Sequence, residues 1–311
     1  MINRRSFLGL SLGLMAANRA TAQSESSEYQ FQFPMGLPDR IPGDDIYVMH
    51  GYAVENAVYY PGLWHTGENW YSLLGDSAGA LVYATADGEV VFAGYDYPGP
   101  VVLIRHAEDL YSQYGHLDYE LKVEVGQQVK RGDVIGTVLY REGPRSHLHF
   151  ELRNFYIAPE VNGDNPRYSF YCGPNCPPGP GYWPFNAPEH PSAMGWRNPL
   201  HVIGNRMGVP EGAEVMVPTD SWSPLFLSAT LEQPAHDDSV LLEGGTRLAL
   251  LEVAAGAEAS ETYGASATTL WFRVDVPEYG PAWVPAISPT MHAIQQNGQT
   301  SSYVFNLIPV I

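Results

Sequence analysis

His147-Leu148-His149-Phe150-Glu151-Leu152 alternates polar and apolar residues without a break. A β-strand sends successive side chains to opposite faces, so this stretch predicts a strand with Leu148, Phe150 and Leu152 turned to a core. His147, His149 and Glu151 then share the other face. Two imidazoles two residues apart on one face can converge on a single reacting centre. The competing reading is a solvated strand face that happens to carry two histidines.

Working back toward the N-terminus, Tyr114-Gly115-His116-Leu117 places another histidine at the end of an apolar strand, and His65-Thr66-Gly67-Glu68-Asn69 places a fourth. His65 and Asn69 are four apart, an even spacing that returns to one face if the segment is a single strand. A histidine with an oxygen ligand suits Zn2+, which takes nitrogen and oxygen donors tetrahedrally. A catalytic zinc site keeps three protein ligands and one open position. His65, Asn69 and His149 have the residue types to fill those three places. Glu68 lies beside Asn69, but on a strand it points to the opposite face.

Around these motifs the chain reads as short strands cut by Gly, Pro and Asp: Leu81 to Ala84, Glu89 to Phe92, Val101 to Ile104 and Leu110 to Tyr114. Thr85 to Gly94 is weakly echoed by Gln128 to Gly136, a repeat that predicts tandem hairpins in an antiparallel sandwich. Residues 159–200, rich in Pro, Gly, Asn and aromatics, predict a long ordered loop that carries Tyr168, Phe170, Tyr171, Tyr182, Trp183 and Phe185. Cys172 and Cys176 within it most simply close a small disulfide loop in an exported protein. From about Met207 a second run of strands begins, including Leu270 to Val274 and Ala282 to Pro285.

The chain of 311 residues is 45% hydrophobic and 16% charged, with 31 Gly, 26 Pro and 20 Tyr, which suits a folded, turn-rich, mostly β protein rather than a disordered one. Arg4 and Arg5 precede an uncharged stretch from Phe7 to Ala17, and Ala20-Thr21-Ala22 offers a small-x-small cleavage site. Residues 1–22 are therefore expected to be an export signal, of twin-arginine or ordinary secretory type. Its apolar stretch is far shorter than the ~20 residues that span a bilayer. No second long apolar run follows, so no membrane span is expected after cleavage. The 16 basic residues, less Arg4, Arg5 and Arg19, leave 13 against 34 acidic ones, a charge of −21. With no basic stripe, nucleic acid is not an expected partner.

The order His-x-Gly-x-Asn, Tyr-Gly-His-Leu, His-Leu-His resembles the lysostaphin/LytM family of zinc endopeptidases. The resemblance extends through Ala84 to Val90, Val102 to His106, Val125 to Gly136 and the closing Asn198-Pro199-Leu200. It implies a mostly β fold, an antiparallel β-sandwich or half-barrel metallopeptidase domain, and cleavage of peptidoglycan peptides or another peptide substrate outside the cytoplasm. It implies Zn2+ held by His65, Asn69 and His149, where the family carries Asp in place of Asn69. His116 and His147 would flank the attacking water as acid and base. Tyr59, or failing it Tyr60, would help hold the oxyanion. The expected organisation is an export signal (1–22), a leader (23–57), the metallopeptidase domain (58–206) and a domain (207–311) that resembles a small bacterial SH3-like β-barrel in Gly245 to Leu248, Trp271 to Val274 and Trp283 to Pro285. An alternative is a non-catalytic relative that binds wall or activates other hydrolases. Val125 to Gly136 also resembles lipoyl and biotin carriers, but no lysine sits at a suitable hairpin tip.

Overall fold

The computed structural model describes residues 30–35, 46–56, 60–72, 77–95, 99–142, 146–156, 181–218, 224–231, 238–255, 270–289 and 302–310. The expected export signal (1–22), Tyr59 and both cysteines lie outside the described residues. The fold is mostly antiparallel β. In chain order the strands are β1 (Ile46–Met49), β2 (Glu55–Asn56), β3 (Tyr60–His65), β4 (Glu68–Ser72), β5 (Leu81–Tyr83), β6 (Gly88–Gly94), β7 (Val101–Ala107) and β8 (Leu110–Gly115). There follow β9 (Gln128–Val129), β10 (Val134–Thr137), β11 (Leu148–Arg153), β12 (Tyr182–Pro184), β13 (Trp196–Arg197) and the helix α1 (Pro199–Arg206). Beyond the helix come β14 (Glu214–Met216), β15 (Leu225–Phe226), β16 (Ser239–Val240), β17 (Arg247–Ala255) and β18 (Leu270–Val276). The last strands are β19 (Gly280–Pro285), β20 (Ile287–Pro289), β21 (Ser302–Phe305) and β22 (Ile308–Val310).

The main sheet runs β20-β21-β1-β4-β11-β8-β7-β6-β9, and β13 pairs with β11 off that path. The strand that carries the His-x-His pattern sits in its middle, and all six of its residues are buried. Leu148, Phe150 and Leu152 enter the apolar core, as their alternation requires. The polar face of β11 is covered as well. A small sheet, β12-β3-β2, lies with the aromatic cluster of Tyr52, Trp183 and Trp196, and the Trp196 indole N–H reaches the Glu151 carboxylate at 3.1 Å.

The expected leader and the C-terminal strands meet on β4. Phe33, Trp70 and Phe305 form a three-ring contact with centroids 5.0 to 5.3 Å apart, a separation at which aromatic pairs attract beyond their burial alone. β21 pairs with β1, so the main sheet crosses the 206/207 boundary. A separate five-stranded sheet, β19-β18-β17-β14-β22, is built wholly from residues after α1. The Asn198-Pro199-Leu200 motif starts that helix: the Asn198 side chain accepts from the His201 amide, and Pro199 occupies the first turn, where no amide hydrogen is needed.

Glu68 points away from Asn69, into this junction. Its carboxylate accepts from the Tyr303 hydroxyl at 2.7 Å and the Trp70 indole at 3.1 Å. Burial pushes its pKa up to about 7, against the lowering pull of those two donors and of the Leu200 backbone amide in the first turn of α1. The folded state therefore holds a proton on Glu68 between the ordinary 4.5 and about 7, where the unfolded chain has lost it. Stability falls as pH rises through that window. Glu68→Gln is expected to flatten this slope in denaturant titrations across that range; an unchanged slope would mean that another group sets it.

Candidate metal centre

Register places the site. In the main sheet His149 lies opposite Asn69 of β4 on one side and opposite Gly115 of β8 on the other, with His116 next in the chain. His65 ends β3, which belongs to the small sheet. It comes to Asn69 across the turn Thr66-Gly67 rather than along one strand, the geometry that the spacing of four had suggested. Gly67 is required there by contact: a Cβ would stand 2.3 Å from the Phe150 carbonyl oxygen.

His65, Asn69 and His149, all buried, converge. His65 Nε2 lies 3.1 Å from His149 Nδ1, which lies 3.1 Å from Asn69 Oδ1. The proton positions follow from the opposite sides of the rings. His149 Nε2 faces a Glu151 carboxylate oxygen at 2.9 Å and must donate to it. His65 Nδ1 faces the Gly51 carbonyl at 3.3 Å and must donate to it. Burial, and then the neighbouring His149 and His50, hold His65 well below the usual imidazole range, so it is neutral. With those two donations made, His65 Nε2, His149 Nδ1 and Asn69 Oδ1 are the atoms left facing one point. Two imidazole nitrogens and an amide oxygen gathered in this way are donors of the type that a Zn2+ ion takes. Tetrahedral bonds of ~2.0–2.1 Å set neighbouring ligand atoms about 3.3 Å apart, close to both separations. Among the described residues no cluster of three or more His, Cys, Asp and Glu has metal-holding geometry; the third donor here is an amide.

Glu151 is the functional residue whose role sequence reasoning missed. It was placed on the histidine face and given nothing to do. Its Oε1 accepts from His149 and from the Thr66 hydroxyl at 2.7 Å, and its Oε2 from Trp196 and from Arg153 at 3.4 Å. Burial pushes its pKa up, but the His149 hydrogen bond, the Arg153 charge and the Thr66 hydroxyl outweigh burial and hold it below the usual carboxylate range. A carboxylate that accepts from a ligating histidine fixes its tautomer and strengthens it as a donor. The carboxylate at position 151, on the same strand face as His149, was the available signal.

His116 and His147 sit beside this point, ring centroids 4.6 Å apart and nearly perpendicular. His147 stacks on Tyr71 at 4.9 Å. His116 has a left-handed φ of 60°, strained for a residue with a Cβ. Tyr60 ends up in β3, and Tyr59 falls outside the described residues. His106 is committed elsewhere, to the Asp87 carbonyl and the Ser112 hydroxyl. His50 has an electrostatic effect that lowers the His65 pKa. If Glu151 sets the His149 tautomer, Glu151→Gln should weaken divalent-cation affinity about 10- to 100-fold. Chelator competition measures this, and unchanged affinity would remove Glu151 from the site.

A family model described as peptidase family M23 matches residues 72–164, a span that holds His116, His147 and His149. The "Cell division protein DipM" of Caulobacter vibrioides is 41% identical over 86 residues, 27% of this chain and 14% of that protein. The "Murein hydrolase activator NlpD" of Salmonella dublin is 40% identical over 88 residues, 28% of this chain and 22% of that protein. The chain thus spans less than a quarter of the length of either. The "Lipoprotein NlpD" of Yersinia enterocolitica is 38% identical over 88 residues, 28% of this chain but 88% of that protein. By the family match and this last likeness, the chain belongs to peptidase family M23.

Proposed function

We propose that this chain is an exported zinc endopeptidase that hydrolyses peptide bonds of bacterial peptidoglycan. One observation carries the reading: ring nitrogens of His65 and His149 and the amide oxygen of Asn69 meet at a single point beside two further imidazoles. Bound there, zinc would supply a Lewis acid for the scissile carbonyl and lower the pKa of a water toward ~7.

The side chains divide the remaining work. His65 and His149 are locked by the Gly51 carbonyl and the Glu151 carboxylate into the tautomers that bind a cation. Asn69 adds a neutral oxygen. Of His116 and His147, one takes the proton from the attacking water, and a proton is returned to the leaving amine. Tyr59 enters as an oxyanion donor on the strength of the resemblance alone. We place the chain in the cell envelope, which the lipoprotein and cell-division names of its relatives support. Among the described residues no helix is long and apolar enough to cross a membrane. The strands after Met207 are proposed to form an SH3-like domain that tethers the enzyme to its polymer.

A second reading is a non-catalytic wall protein or an activator of other hydrolases. The name of the Salmonella relative supports it more directly than it supports the first. So does Asn69, a weaker ligand than a carboxylate.

Zinc content and turnover separate the two. For the endopeptidase, purified mature protein should carry about one zinc per chain and release peptide products from isolated wall. His147→Ala should keep the metal and lose ~10²–10⁴-fold in turnover. Protein that takes up no zinc and releases no product, yet stimulates a separate murein hydrolase, would establish the second reading. Asn69→Asp, nearly isosteric, should tighten zinc binding by supplying an anionic oxygen. If affinity is unchanged while His65→Ala abolishes binding, Asn69 is not a ligand.

A further inference from the structure

The stretch between β10 and β11 brings a cation against one of the two non-ligand histidines. Arg141 Nη2 lies 2.9 Å from His116 Nδ1. A guanidinium has five N–H donors and no acceptor, so this hydrogen bond runs one way only, with Nδ1 of His116 accepting. A neutral imidazole with a bare Nδ1 carries its hydrogen on Nε2.

Both partners are held in place. The Arg141 amide donates to the Ser146 hydroxyl at 3.0 Å, which ties Arg141 to the residue immediately before His147. Among the described residues Arg141 forms no ion pair with a carboxylate. The His116 carbonyl accepts from the Leu139 amide at 2.9 Å, two residues before Arg141, and the Leu117 amide donates to the Pro100 carbonyl at 2.9 Å. These bonds hold the left-handed turn at His116. Gly99, itself at φ +81°, packs so closely that an added Cβ would stand 3.4 Å from both Cα and Nδ1 of His116. Sequence analysis gave Arg141 no role.

We infer that Arg141 is a positioning residue that holds His116 as its Nε2–H tautomer. Where the endopeptidase reading holds, on which this half rests, His116 is then the hydrogen-bond donor of the site. A nitrogen that already carries its hydrogen cannot accept one, so His147 takes the proton from water. The two histidines are thus unequal, and the difference is imposed from outside the ligand set.

The test uses the full mature chain with 15N-labelled histidine, at about pH 8, well above the ordinary imidazole value of ~6.5. Long-range 1H–15N correlation spectra, assigned with His116→Gln, read which nitrogen of His116 carries hydrogen, before and after zinc is added. The wild type should show a bare Nδ1 and a protonated Nε2. Arg141→Ala should move both nitrogens toward the averaged shifts of a free imidazole, and Arg141→Lys should restore most of the preference. In peptidoglycan digestion, Arg141→Ala should lower kcat on the order of 10- to 100-fold, with KM within about twofold and partial rescue by lysine. A protonated Nδ1 in the wild type, or a tautomer unmoved in Arg141→Ala, overturns the inference. A loss confined to KM also overturns it, since Arg141 would then be a substrate clamp. If the wild type shows no turnover, the endopeptidase reading fails while the spectra still decide whether Arg141 sets His116.

Discussion

Glu151 lies fully buried in the middle of a sheet, in a strand with both faces covered. An unpaired carboxylate there would cost several kcal/mol or take up a proton. It does neither, because four donors from three parts of the chain reach it: His149 and Arg153 on its own strand, Thr66 in the turn before β4, and Trp196 on β13. Each of these can reach Glu151 only if its own segment is in register. The demand of one buried charge thereby fixes the small sheet against the main sheet, the turn that carries His65 toward Asn69, and the tautomer of His149. Arg153, itself buried, is anchored in turn by Gln113 on β8 at 2.7 Å. The convergence of His65, Asn69 and His149 depends on satisfying this carboxylate.

The charge pattern around the acceptors follows. His65 is neutral by burial and Asn69 by chemistry. Among the described residues no anion faces the converging point directly; the negative charge stands one imidazole away, on Glu151, beside Arg153. A cation in this site would be balanced through His149 rather than by a carboxylate in contact with it. That arrangement would leave a bound ion strongly electrophilic at some cost in affinity, which is why position 69 separates the two functional readings.

Much of this was legible in the sequence because its signals are local. The alternation from His147 to Leu152 can only be satisfied by a strand, and β5 to β8 fall on the glycine-bounded runs that predict them. The helix that Asn198-Pro199 starts was not anticipated, since residues 159–200 were expected to be one long loop. The His65 to Asn69 spacing was read as one strand, and Gly67 is where that reading broke. A glycine between two polar residues marks a turn as readily as a strand, and only the approach of the Phe150 carbonyl decides which. What stayed hidden was long-range. Nothing near Phe31 or Phe33 announces that they enter the core, and nothing near Tyr303 announces a carboxylate more than two hundred positions earlier in the chain. The link from Arg141 to His116 joins two loops whose meeting depends on the intervening hairpin.

The pairing of β1 with β21 sets the order in which the molecule can be completed. Tyr47 and Val304 are register partners, so the outer edge of β1 has its neighbour only after almost the whole chain has been synthesised. A polypeptide emerging N-terminus first must carry that edge, with its unmatched amides and carbonyls, through the making of every other strand of the sheet except β20 and β21. Contacts this distant make folding slow, and an open edge during that interval invites pairing with other chains. A translocation route that accepts only finished cargo would confine that exposed interval to the cytoplasm, where chaperones can shield the strand. A route that threads the chain unfolded would shift the same vulnerable interval to the far side of the membrane.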